Sequence, residues 1–245
     1  GTVMNVDYPG SEVGGNTETH PLIVSAIFGA MVECVPNRVM ASEGTTHGCF
    51  VFGGHDELND EPYGGFDFSY VGYGGRSFAD GNDATDSING NCANTPMEVF
   101  ETRFPWIVEE YALRANSGGA GKFRGGLSNV KQMMCTGEML VSQMTNKHKL
   151  CAWGLKNGGG GALGATLYKK AGGDKWETTV EAYGKVSPSK YSNIPMNPGD
   201  RVRVLAPGGG GFGAPTDRSQ EAVKEDLREG YISEDQAREI YNFRG

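Results

Sequence analysis

Apolar residues recur at Ile23, Ile27, Ala30, Met31 and Cys34, a spacing that gathers them on one stripe of a helix. Pro21 suits a first helical position and Pro36 stops the run, so the pattern predicts a buried or half-buried helix over 21–34. Further along, the period shortens to two. Ile107, Tyr111 and Leu113 share one face of an alternation that Glu109 interrupts, which predicts a strand over 106–114; a second is expected at Met139 to Met144. Thr166–Lys170 and Lys175–Val180 flank Ala171-Gly172-Gly173-Asp174, the pattern of a hairpin, and Arg201 to Val204 alternates cleanly before a glycine run. At the end of the chain, Asp217 with Gln220 and Ser233 with Gln236 have capping-box spacing. Val223 with Leu227, then Ala237 with Ile240 and Tyr241, give two short helices an apolar face each.

Residues 41–95 follow neither period. They carry glycine pairs beginning at 53, 64 and 74 among Asp, Asn and aromatic residues, which predicts long ordered loops with short strands, of functional or interfacial use. The 39 glycines among 245 residues are more than twice the usual share of roughly 7%, so many tight turns and close backbone approaches are expected. The fold class that results is α+β: a β-rich, glycine-rich domain with long ordered loops, one buried N-terminal helix and a C-terminal helical hairpin. Its expected division is a main body over 1–215 and a helical tail over 216–245.

A net charge of −8 without clustered Lys and Arg sets nucleic acid aside. The apolar stretch from Pro21 to Val35 is too short to span a bilayer, and the five cysteines, odd in number and without a C-x-x-C pair, read as reduced thiols. A soluble, cytoplasmic protein is expected.

Several motifs fail on their context. The runs Gly208–Gly213 and Gly159–Gly164 satisfy G-x-G-x-x-G, but neither leads into a helix. Gly121-Lys122 resembles a phosphate loop, yet Asn116 stands where glycine is needed and Phe123 where a magnesium-binding hydroxyl belongs; tight turns joining two strands explain it better. There is no His-Glu-x-x-His and no G-x-S-x-G elbow. The best metal-ligand candidates are His47, Cys49, His55 and Asp56, all within one glycine-rich loop. Glu18 and His20, just before the first helix, suit either an active site or a helix-capping role.

Gly14-Gly15-Asn16-Thr17-Glu18-Thr19, then Asp80-Gly81-Asn82-Asp83-Ala84, then Asn94 to Pro105 with its Thr95-Pro96-Met97-Glu98 start occur in the order of the hydantoinase B/oxoprolinase family. The stretch Glu110 to Gly126, containing Asn116-Ser117-Gly118-Gly119-Ala120-Gly121-Lys122-Phe123-Arg124-Gly125-Gly126, and the ending Pro198-Gly199-Asp200 with Pro207 to Gly213, complete the resemblance. It implies the C-terminal half of a B-type subunit in an ATP-dependent complex. ATP would be bound by an A-type partner subunit, and a divalent metal mainly by the N-terminal half of the B-type subunit; a small accessory subunit is a further expected partner. Ketone carboxylation, as in acetone and acetophenone carboxylases, is the leading implied activity, with ATP-dependent opening of hydantoin or 5-oxoproline rings as the alternative. A noncatalytic assembly domain is the alternative of another class. The implied site residues are Asn16 and Glu18, with His20 beside them. His47 stands where relatives tend to carry Asn nearby, which makes it the candidate for a metal contact.

Overall fold

The computed structural model describes residues 5–10, 14–56 and 59–244. Eight strands form two antiparallel four-stranded sheets. The first has the order β2-β1-β5-β7, built from β1 (Cys49–Asp56), β2 (Glu61–Asp67), β5 (Met139–Met144) and β7 (Lys190–Met196). The second has the order β3-β4-β8-β6, from β3 (Trp106–Leu113), β4 (Asn129–Cys135), β6 (Ala165–Lys169) and β8 (Arg201–Leu205).

Alternation decides which side chains enter the core. Phe50 and Phe52 of β1 point inward while Val51 between them is exposed, and Val202 and Val204 of β8 are buried between half-buried arginines. These residues meet Met133 and Cys135 of β4, Met139 and Val141 of β5, and Ile194 and Met196 of β7 in one apolar cluster between the sheets. Phe52 anchors it, with its ring 4.9 Å from Phe104, 5.6 Å from Phe100 and 5.7 Å from Trp106.

The expected strands at 106–114, 139–144 and 201–204 are all present. The 175–180 half of the expected hairpin is not: β6 pairs with β8, Glu177 makes only an isolated bridge to Tyr168, and Thr179–Tyr183 forms helix α3. Thr178 caps that helix and Glu181 returns the bond to the Thr178 amide, so a capping box overrides the strand reading. Helix α2 (Met97–Arg103) and strand β7 have no counterpart in the sequence pattern, whereas β4 is the second of the two strands that the glycine-rich stretch at 118–126 is expected to join.

Helix α1 (His20–Met31) forms where the spacing placed it, but with its faces reversed. Pro21 and Ser25 are buried, whereas Leu22, Ile23, Ile27 and Met31 are exposed. The apolar stripe that suggested a buried helix is therefore its outer face.

Glycine does more here than make turns. Successive amides of the run 208–212 donate to carbonyls of Ala162, Gly126, Ser42, Gly159 and Phe123. Every third residue returns to the same neighbouring segment, which is the period of an extended threefold helix of the polyproline type. This segment is enclosed by others on several sides. A Cβ at Gly208 would lie 1.8 Å from the Ser117 carbonyl oxygen, and one at Gly210 2.1 Å from that of Trp153. The stretches with dinucleotide-like and phosphate-loop-like glycine patterns are thus packed main chain. Within 118–126 the chain bends at Gly118 and at Gly121-Lys122, and the Gly125 amide returns to the Gly119 carbonyl, so the expected turns are present but mostly buried.

Helices α4 (Gln220–Arg228) and α5 (Glu234–Glu239) close the chain as the expected helical pair. The cap of α4 is Ser219, not Asp217, which lies in the preceding 3₁₀ turn; Ser233 caps α5 as expected. Val223, Ala237 and Tyr241 pack with Ala120. Arg218 ties the tail to the body: its Nη1 and Nη2 donate to the two carboxylate oxygens of Asp80 at 2.8 Å, and its Nε donates to Asp226 at 2.9 Å. Arg124 donates to Asp83 and faces the other side of Asp226. Arg218→Ala leaves a buried Asp226 with only the more distant Arg124. The expected loss is about 3 kcal/mol of unfolding free energy, measured in urea; a loss below 1 kcal/mol would remove this anchoring role.

Candidate functional site

Gly14, at φ +71°, starts a π-helical turn over Gly15–Thr19 that runs into α1. Wide turns of this kind are rare, and this one directs Glu18 inward from an otherwise exposed segment. Thr46 Oγ1, fully buried, donates to both carboxyl oxygens of Glu18 at 2.9 and 2.8 Å, while the Gly48 amide donates to Thr46. Asn146 Nδ2 donates to the carbonyls of Glu18 and Thr45, and Lys190 Nζ donates to Asn146 Oδ1. Thr45, a β-branched residue, is held at φ +47°, a strained backbone in the midst of this network.

Burial pushes the Glu18 carboxyl up to about 8. The Thr46 hydroxyl, the Lys190 ammonium and the amides of His47 and Gly48 pull in the opposite direction without overcoming it. Glu18 therefore carries its proton at neutral pH.

Beside it lies a second group. Asp86 Oδ1 sits 2.6 Å from His47 Nδ1, close enough for an ion pair though outside hydrogen-bond alignment, and Asn89 Oδ1 is 3.2 Å from His47 Nε2. Asn89 Nδ2 donates to the Asn16 carbonyl at 2.7 Å and stands 3.2 Å from His20 Nδ1. Gly90 is needed here because a Cβ would strike Asp86 Oδ2 at 2.0 Å. Behind Asp86, Ser87 donates to the buried Glu43, whose carboxyl burial raises to about 7.

Asn16, Glu18, His20 and His47 are thus brought into one region, through Thr46 and Asn89, two residues that spacing did not single out. Asn16 and His20 are exposed; Glu18 and His47 are buried. Thr46 was within reach of sequence reasoning, since it adjoins His47, but nothing in the spacing pointed to Asn89, Asn146 or Lys190. The proposed ligand quartet does not assemble: among the described residues no three His, Cys, Asp or Glu side chains come together as a metal site, and His55 faces solvent on β1. Both ring nitrogens of His47 face protein groups. Cys49 is held as a thiol, its pKa raised by burial to about 11, so it is no ready nucleophile.

The sequence profile of the hydantoinase B/oxoprolinase family matches residues 1–215. The chain belongs to this family. It is 33% identical over 232 residues to an uncharacterised protein of Methanocaldococcus jannaschii, covering 95% of this chain and 38% of that one. It is 28% identical to a putative B-type subunit of a D-/L-hydantoinase of Pseudomonas sp., covering 97% of this chain and 38% of the relative. The beta chain of the Pseudomonas jessenii caprolactamase is also 28% identical, over 98% of this chain and 41% of its own length. The chain spans about two fifths of the length of these relatives. In fold it matches the ATP-dependent caprolactamase of Pseudomonas jessenii with a TM-score of 0.79 at 24% identity, covering 97% of this chain and 41% of that one. It matches acetone carboxylase with a TM-score of 0.68 at 23% identity, over 85% and 31% of the two chains.

Within the family's recognisable blocks, the candidate site and the architecture separate. The Gly14–Thr19 block carries Asn16 and Glu18 of the site, whereas Asp80, Asp83 and Arg124 are committed to ion pairs and main-chain amides that fasten the glycine-rich segments. No helix among the described residues is long and apolar enough to cross a membrane.

Proposed function

We propose that this chain is part of a multi-subunit, ATP-dependent enzyme that opens cyclic amides, with Glu18 as the acid that protonates the departing ring nitrogen. The observation that supports this is the Glu18 carboxyl, buried, held by Thr46 and still protonated at neutral pH. A general acid works best when its pKa lies near the operating pH. An amide carbon resists attack until its oxygen is phosphorylated; ATP bound by an A-type partner supplies that phosphate. Water then adds to the activated carbon. The C–N bond breaks as the nitrogen takes the Glu18 proton and the new hydroxyl gives its proton to solvent, leaving an acyl phosphate. A second water hydrolyses this to the acid and inorganic phosphate, while solvent reprotonates the Glu18 carboxylate. The exposed Asn16 and His20, with the half-buried Asn89 between them, position the substrate. The names of relatives similar over most of this chain, those of a hydantoinase, a caprolactamase and a 5-oxoprolinase of Dictyostelium discoideum, favour the same chemistry.

Ketone carboxylation is the second reading, favoured by the fold shared with acetone carboxylase. In either case the remainder of the B-type subunit, an A-type ATP-binding subunit and a small accessory subunit are the partners, in the cytoplasm. The divalent metal is assigned to the rest of the B-type subunit. Among the described residues no three His, Cys, Asp or Glu side chains gather into a ligand group for it.

The test supplies the assembled enzyme and ATP with a panel of hydantoins and lactams, or with ketones and labelled bicarbonate. The expected result is ATP-dependent release of ring-opened acids. Fixation of label into a ketone without ring opening would overturn the proposal in favour of carboxylation, and full turnover by Glu18→Gln would leave only the assembly role for this region.

A further inference from the structure

Beside Glu18 lies a cleft of about 330 Å³ between residues 146–150 and 186–190. Two of its lining residues, Asn146 and Lys190, already bear on Glu18: one bonds its carbonyl, the other acts on its carboxyl by charge. The cleft also collects Lys147, His148 and Lys149.

Among the described residues, Lys147, Lys149 and Lys190 form no ion pair with a carboxylate, and the Lys190 ammonium donates only to neutral oxygens, the Thr145 carbonyl and Asn146 Oδ1. Lys147 is fixed at φ +60°, a backbone that lysine rarely adopts. Burial and the neighbouring Lys190 push His148 down to about 4, so it lines the cleft as a neutral ring. On the facing segment, Ser187 and Ser189 place hydroxyls at the wall, with the Ser187 oxygen accepting from the amides of Ser189 and Lys190. The exposed Leu22, Leu150 and Val186 make the mouth apolar. Lys190 already disfavours a charged His148, and Lys147 has the buried Glu43 within its electrostatic reach; a dianion in the cleft would give Lys149 and Lys190 a counter-charge that no ion pair supplies.

We propose that this cleft binds a phosphoryl group, as carried by a substrate activated with ATP. Three lysines match a group that brings a charge of about −1.5 to −2 and three acceptor oxygens better than they match a single carboxylate. The inference rests on the ring-opening reading in one respect: it takes the phosphoryl group to belong to the substrate that Glu18 protonates. Lys190 then connects the two, its ammonium facing the phosphoryl end while the reacting bond lies toward Glu18. Asn146, whose amide protons are spent on the carbonyls of Glu18 and Thr45, holds Lys190 in place through its Oδ1.

The experiment is a titration of the assembled enzyme, without ATP, with inorganic phosphate and separately with methyl phosphate, followed by ³¹P NMR at fixed ionic strength set with chloride. Both probes are expected to bind saturably. Lys149→Gln, and Lys147→Asn, which suits the left-handed backbone, should each weaken both at least fivefold. Lys175→Gln, an exposed lysine paired with Glu177, should change neither. Unchanged affinity in the two cleft variants would overturn the proposal. Binding of inorganic phosphate with exclusion of methyl phosphate would overturn its assignment to a substrate. Glu18→Gln separates the two ideas: phosphate binding retained with turnover lost supports both. Turnover retained in Glu18→Gln, with binding still dependent on the lysines, removes the acid and leaves the cleft.

Discussion

Gly209→Ala is expected to prevent folding. The new Cβ would stand 2.0 Å from the Tyr73 carbonyl oxygen, 2.4 Å from its carbon and 2.8 Å from the Gly72 oxygen. All three are main-chain atoms, so no flexible side chain can swing away. Nor can the segment slide, because the Gly209 amide donates to Gly126 and its carbonyl accepts from Gly119. Relief would require breaking several buried main-chain hydrogen bonds, each unpaired group costing about 1–3 kcal/mol, against a total stability of about 5–15 kcal/mol. Gly64→Ala is the matched control: its φ is ordinary and the nearest atom to the added methyl is 4.0 Å away. Circular dichroism and thermal unfolding of the two variants should show a folded Gly64→Ala and no cooperative transition for Gly209→Ala. A Gly209→Ala protein melting within a few degrees of the parent would mean that the glycine segments are not packed in this way.

The same packing explains why parts of the sequence were legible and others were not. Local signals carried strands β3, β5 and β8 and the cap of α5, because alternation and capping act over a few residues. The threefold segments have no such signature. Their hydrogen bonds run to different distant segments at successive residues, so the glycines at 208–211 look like turn residues when only their neighbours in the chain are considered. Helix α1 was legible as a helix and misread as to its face. Periodicity identifies an apolar stripe, but which side meets the core depends on where Ser42 and Trp153 come to rest; Ser25 bonds Ser42 at 3.1 Å, and Trp153 approaches Gly29. At the site, the motif led to Asn16 and Glu18, while Asn89, 73 residues from Asn16, and Asn146, 128 from Glu18, could be placed beside them only by the fold.

Glu18→Gln should make the protein more stable and the enzyme inactive. In the unfolded chain a glutamate releases its proton near 4.5, whereas in the folded protein Glu18 keeps it until about 8. Between these values the folded state holds a proton that the unfolded state has lost, so stability falls as pH rises, by up to about 1.4 kcal/mol per unit. Below 4.5 this penalty is absent, and above 8 it is fully present. Glutamine keeps the shape and the Thr46 hydrogen bond without titrating. Glu18→Gln should therefore match the parent near pH 4.5 and exceed it by a few kcal/mol at pH 9, as urea unfolding at both pH values would measure. Turnover should move the other way, falling by about 10²–10⁴-fold with the acid removed, and in the parent it should decline above pH 8. A stability difference independent of pH would mean that Glu18 is ionised in the folded protein and cannot be the acid. A variant that gains stability at high pH yet turns over normally would place the proton correctly and the chemistry elsewhere. The two measurements together separate a carboxyl that is merely buried from one whose burial serves the reaction.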